Sequence, residues 1–64
     1  MNPFDALDFT ASDTAFVAAL DAAVRLAIDA FVKAGMSVAD ARTTADTIGA
    51  ELWGAYADGL GVLP

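Results

Sequence analysis

Cysteine and histidine are both absent from this 64-residue chain, and Lys33 is its one lysine. Without cysteine there is no disulfide to staple so short a chain, and without either residue the usual ligands of a structural zinc site are missing. General acid–base and nucleophilic catalysis draw mainly on His, Cys, Lys or a Ser beside a base, which leaves only carboxylates here. Asp40, Glu51 and Asp58 share one predicted helical face, but at ~1.5 Å per residue they stand roughly 16 and 10 Å apart, too far for a dyad. Asp5, Asp8 and Asp13 lack the glycine and the closing glutamate of a calcium-binding loop. Glycines fall at predicted helix ends and inside the second predicted helix, never between a strand and a helix, so no phosphate loop or dinucleotide fingerprint is present. The expectation is a protein that is not an enzyme, with no catalytic, cofactor-binding or metal-binding residue.

Positive charge is equally scarce. Arg25, Lys33 and Arg42 face nine acidic residues, a net charge of −6. That balance argues against direct contact with nucleic acid phosphates or an anionic membrane surface, and any charged partner should be basic. Mean hydropathy is high at +0.57, yet Asp21, Arg25 and Asp29 break the best apolar stretch well before the ~18 residues of a membrane-spanning helix. The segment MNPFDALDFTASD is acidic and has neither a basic n-region nor a continuous apolar h-region, so a secretory signal is not expected, and cytoplasm or a virion fits better than secretion.

What is abundant is alanine and helical periodicity. SDTAFVAALDAAVRLAIDAFVKAG, from Ser12 to Gly35, reads as one amphipathic helix. Ser12 can cap its first turn, Asp13 and Lys33 suit the two ends of the helix dipole, and Gly35 can take the left-handed stop. Phe16, Leu20, Val24, Ala27, Ile28 and Phe31 recur at three- and four-residue spacing as the apolar stripe. Asp21, Arg25, Asp29 and Lys33 line up at spacing four with the acid leading each pair, a solvated face with two exposed ion pairs of about 0.2–0.5 kcal/mol each. After Gly35 and Met36, Ser37 opens a second helix in a capping-box pattern, SVAD, with Asp in place of the usual Glu or Gln.

So short a link makes the two helices antiparallel neighbours. The second helix carries a stripe of Val38, Ala41, Ala45, Ile48, Leu52, Ala55 and Tyr56, and Gly59 and Gly61 are expected to end it. Facing residues in such a hairpin have numbers with a constant sum. Phe31 with Ala41, Ala27 with Ala45, Val24 with Ile48, Leu20 with Leu52 and Phe16 with Tyr56 satisfy one register. The expected fold is all-α: an antiparallel helical hairpin over 12–34 and 38–58, after a short helical or extended N-terminal arm (1–11) and before an apolar C-terminal tail (59–64). In the arm, Asn2 can cap and Pro3 suits a first helical position.

Several residues fall outside the hairpin seam and are candidates for contact with a protein partner. Ala39, Thr43, Thr47, Ala50, Gly54, Ala57 and Gly61 form a stripe of small side chains on the far side of the second helix, where another backbone could approach closely. The competing reading is an alanine-rich solvent face. Leu26 is the large residue on an alanine-rich flank of the first helix, and with Val17, Val32, Trp53 and Leu60 it adds apolar surface that the seam does not use. Trp53 is either a cap over the arm or an anchor for a partner. Phe4 and Leu7 share one face of the acidic-apolar segment FDALDF, which either docks on a partner or folds back with Phe9 over the open end of the chain's own helices. The partner-contact set is therefore Leu26, Trp53, Ala50, Gly54, Ala57, Phe4, Leu7 and Leu60.

Below about 70–80 residues a single core rarely supplies more than ~3–5 kcal/mol, so association is the remaining source of stability. The functional expectation is a structural or assembly module that packs against copies of itself or a larger protein, such as an accessory subunit of a phage particle. The alternative is an acidic inhibitor or adaptor that covers a basic surface of a host or nucleic-acid-binding protein.

Overall fold

The structure, a computed structural model, describes residues 2–62, with side chains described as far as Gly59. It is an all-α hairpin. A single 3-10 turn, Pro3–Ala6, precedes two helices, α1 (Asp13–Lys33) and α2 (Val38–Val62), which pack against each other in a body 44 × 17 × 16 Å.

Each boundary except the last follows its expected chemistry. Asn2 accepts the Phe4 amide through its side chain at 2.9 Å, with Pro3 at the first position of the turn. Ser12 accepts the Ala15 amide at 3.3 Å, and Ser37 accepts the Asp40 amide at 3.1 Å, so each helix has one first-turn donor satisfied by a serine hydroxyl. At the end of α1 the Gly35 amide donates to the Val32 carbonyl and the Met36 amide to the Phe31 carbonyl, both at 3.0 Å. Those two bonds define a Schellman motif, which requires a left-handed residue, and Gly35 supplies it at φ 111°. The second helix differs from expectation, because it continues through Gly59 to Val62 instead of ending at Asp58. Glycine permits a left-handed stop without imposing one. Gly35 takes that conformation where the chain must reverse, whereas Gly59 keeps a negative φ and stays helical at a cost of about 1 kcal/mol relative to alanine.

The register of the hairpin is the expected one, but its midline is not. Phe16 lies against Tyr56, rings stacked at 4.0 Å, and Ala27, Ala41 and Ala45 are buried. Ala23 and Gly49 are buried too, and their numbers share the constant sum, so they form the middle layer in place of Val24 and Ile48. From the turn to the open end, the buried layers run Ala27/Ala45, Ala23/Gly49 and Phe16/Tyr56, with Ala41 buried nearest the turn. The helices are close where the layers are small. A methyl placed on Gly49 would stand 2.9 Å from Val24 Cγ2. Val24 is thereby turned to one flank of the midline with Leu20, while Ile48 and Leu52 line the other flank with Ala27 and Phe31.

The N-terminal arm closes the open end and then runs back along α1. Asp8 makes the corner: its carboxylate accepts both the amide and the hydroxyl of Thr10, at 2.9 and 2.6 Å, and its carbonyl accepts the Ala11 amide. The corner presents the Ala11 carbonyl to the Tyr56 hydroxyl, which also lies 3.1 Å from Asp13 Oδ1, so one phenolic proton serves two acceptors. Phe9 rests on Phe16 at 5.2 Å, and Phe4 and Leu7 are half-buried. The segment folds back on the chain's own helices, but only Phe9 sits over the open end, whereas Phe4 lies farther along α1 beside Ala27, Ala30 and Phe31.

Two glycines in α2 distinguish the close approach from ordinary helix propensity. Gly54→Ala meets nothing within 4 Å and should raise stability by about 1 kcal/mol. Gly49→Ala should instead lower it by about 1 kcal/mol, because crowding against β-branched Val24, which has one favoured rotamer in a helix, outweighs the propensity gain. Urea midpoints of the two variants measure the difference. Equal gains would mean that the helices do not approach at Gly49.

Candidate functional site

Arm and hairpin give this molecule two unlike flanks. On one, Pro3 and Phe4 pack along α1 and, with Asn2, Ala27, Ala30, Phe31, Ile48 and Leu52, line a half-open, mainly apolar pocket of about 450 Å³. On the other, no described arm residue takes part. There Val17, Leu20 and Val24 of α1 and Gly49 of α2 form the floor of a shallow groove, with Asp21 and Asp46 at its edges. A second depression, lined by Asp13, Thr14, Val17, Ala18 and Asp21, continues it along α1 toward the open end. Every charged side chain lining the two depressions is acidic.

Trp53 extends this open flank. It stands four residues beyond Gly49, hence on the same side of α2, and it packs at 6.2 Å from the Phe16 ring and 5.6 Å from the Tyr56 ring. Even so it remains 41% exposed, and Val17 on the facing helix is 49% exposed. Its ring neighbours are Phe16 and Tyr56 of the hairpin and not the arm's Phe4 or Phe9, so it finishes the aromatic cluster instead of capping the arm, and its other side faces solvent.

The remaining partner-contact candidates do not converge on one surface. Leu26, 60% exposed, lies one turn from Ala30 and therefore toward the arm's flank, not beside Trp53. Phe4 and Leu7 belong to the arm and are half-buried against the chain itself. Ala50 and Ala57 are exposed and Gly54 half-buried, on the outer face of α2. Thr43 and Thr47 on that face turn their hydroxyls back to the Ala39 and Thr43 carbonyls, at 3.1 and 2.8 Å, so the stripe presents methyl groups. Leu60 and Gly61 have side-chain positions outside the described residues. The Val17, Leu20, Val24 and Gly49 floor was absent from the candidate set, although the three-and-four spacing of its α1 members was available to signal it.

Charge at the site is simple. Asp21 pairs with Arg25 at 3.2 Å and Asp29 with Lys33 at 3.0 Å, all four side chains being more than half exposed, which makes both pairs weak. Among the described residues no group of three His, Cys, Asp or Glu side chains could hold a metal ion, and no helix is long and apolar enough to cross a membrane. Burial pushes the Tyr56 phenol above its ordinary value, and the hydrogen bond to Asp13 and the charges of Asp13 and Asp8 add to the rise. The Thr10 hydroxyl and amide hold the Asp8 carboxyl below its ordinary value.

No family model, curated protein or solved structure matches this chain.

The two shifts set where the arm should loosen. A raised phenol favours the protonated fold, so Tyr56 contributes fully below pH 10.0 and its contribution is lost as pH rises through the raised folded value. A lowered carboxyl has the opposite sense: Asp8 contributes above its unfolded value and the contribution is lost as pH falls through the folded one. Tyr56→Phe keeps the stack and removes the hydrogen bonds, so it should lower stability by about 1 kcal/mol at neutral pH. It should also abolish the decline above pH 10.0. Thermal melts across pH on both proteins check this, and an unchanged alkaline decline in Tyr56→Phe would contradict it.

Proposed function

We propose that this chain is a protein-binding module without catalytic activity, an acidic helical hairpin that serves as a subunit of a larger assembly by packing against copies of itself or against another protein. The observation that carries the reading is the flank left without an arm, where Val17 and Trp53 stay about half exposed beside half-buried Leu20 and Val24. Large apolar side chains grouped on one side of a small domain are characteristic of a contact surface. Tryptophan is also enriched among interface residues whose truncation costs 2 kcal/mol or more. Burial of such side chains contributes roughly 1.5–3 kcal/mol each, a large share of the stability of a domain this size.

A second reading, an acidic inhibitor or adaptor that covers a basic protein surface, is favoured by Asp13, Asp21 and Asp46 lining the same flank. Salt separates the two. Contact through charge weakens steeply as ionic strength rises, whereas contact through the apolar floor changes little.

If the module binds protein, association stabilises only the folded chain, and its melting temperature should rise with protein concentration or with added partner. Thermal melts over a wide concentration range, paired with sedimentation, measure this. A cooperative melt of a monomer, independent of concentration and of every protein it is purified with, would remove the reading.

A further inference from the structure

We infer that the groove between Val17, Leu20 and Val24 of α1 and Gly49 of α2 takes a basic amphipathic helix from a different protein, and not a second copy of this chain. The inference rests on protein binding, which both readings above share; it joins the apolar floor of the first to the acidic rim of the second and names the occupant. The shape selects a helix. Val17, Leu20 and Val24 span seven residues of α1, roughly 10 Å at ~1.5 Å per residue, which matches two turns of a helix presenting apolar side chains at spacings of three and four. Gly49 has no side chain on the α2 edge, so the floor is low there, and Trp53, one turn beyond it in α2, packs beside Phe16 and Tyr56.

Charge selects the sign and excludes self-docking. Asp13, Asp21 and Asp46 line the groove and its continuation, and no base does. Asp46 makes no ion pair among the described residues, and Asp21 is engaged only by exposed Arg25. A second copy laid in the groove would set these acids against their own kind, a juxtaposition that disfavours a partner. It would bring little to offset them: Arg25 and Lys33 already serve the outer face of α1, which leaves Arg42 as the one base not in an ion pair among the described residues. A helix with Lys or Arg flanking its apolar stripe satisfies both the floor and the rims.

The probes are two synthetic amphipathic helices of about four turns with identical leucine positions, one flanked by lysine and one by glutamate. They are titrated into the isotopically labelled full chain. The lysine peptide should shift the Val17, Leu20 and Val24 methyl signals and the Gly49 amide, and move Trp53 emission to the blue. Its affinity should fall roughly tenfold or more between low salt and about 1 M, where the Debye length is about 3 Å. The glutamate peptide should leave all of these unchanged. Asp21→Asn with Asp46→Asn should weaken the lysine peptide and flatten its salt dependence, Val17→Ser should weaken it at every salt concentration, and Leu26→Ser should not affect it. Equal binding of the two peptides, shifts centred on Leu26 or the arm, or no binding of the lysine peptide would overturn the inference. So would a homodimer in sedimentation whose formation perturbs Val17 and Trp53, but that result would leave the protein-binding reading standing. Failure of the reading itself is seen separately, in a monomer melt that neither concentration nor any protein it is purified with shifts.

Discussion

The close approach of α1 and α2 at Ala23 and Gly49 is the constraint on which the rest of the molecule depends. With alanine and glycine at the middle of the midline, the helices come near enough that a single added methyl would crowd Val24. The large side chains therefore cannot meet across the seam. Leu20 and Val24 are turned to one flank, Ile48 and Leu52 to the other. Only at the open end, where the Phe16 and Tyr56 rings stack, does the seam hold bulk on both helices.

Two apolar flanks follow from that midline, and the chain has one arm. The arm is steered by the Asp8 corner and tied by the Tyr56 hydroxyl to the Ala11 carbonyl, and it lies on the flank of Ala30 and Phe31. The opposite flank keeps Val17 and Trp53 in contact with water and gathers three acids. The proposed function thus rests on a mismatch between two surfaces and one cover.

The elements themselves were legible in the sequence because their signals are local. Asn2, Ser12, Gly35 and Ser37 each satisfy or permit a specific backbone group, and each does so in the structure. The register was legible because two stripes of opposite direction admit one constant sum. The midline was not, for an instructive reason: Val24 with Ile48 and Ala23 with Gly49 satisfy the same sum, and a preference for pairing large side chains selects the wrong pair. Close packing decided otherwise, since small residues at both positions let the backbones approach and the larger neighbours fill the sides. The same choice concealed the open flank, because Leu20 and Val24 had been assigned to the seam. The stripe of Gly54 and Ala50 on the outer face suggests a place of close approach, whereas the approach is made by Gly49 inside the hairpin. Gly59 was read as a stop because glycine often is one, but a stop also needs the chain to reverse, and α2 continues to Val62.

Nuclear Overhauser contacts in the isotopically labelled full chain test the central claim most directly. The structure predicts cross-peaks from the Gly49 α protons to the Val24 methyls and to the Ala23 methyl, with the Phe4 ring near Ala30 and Phe31 and remote from Val17. Cross-peaks joining the Val24 and Ile48 side chains across the midline, or a Phe4 ring lying on Val17 and Leu20, would contradict the close-packed seam and with it the open flank.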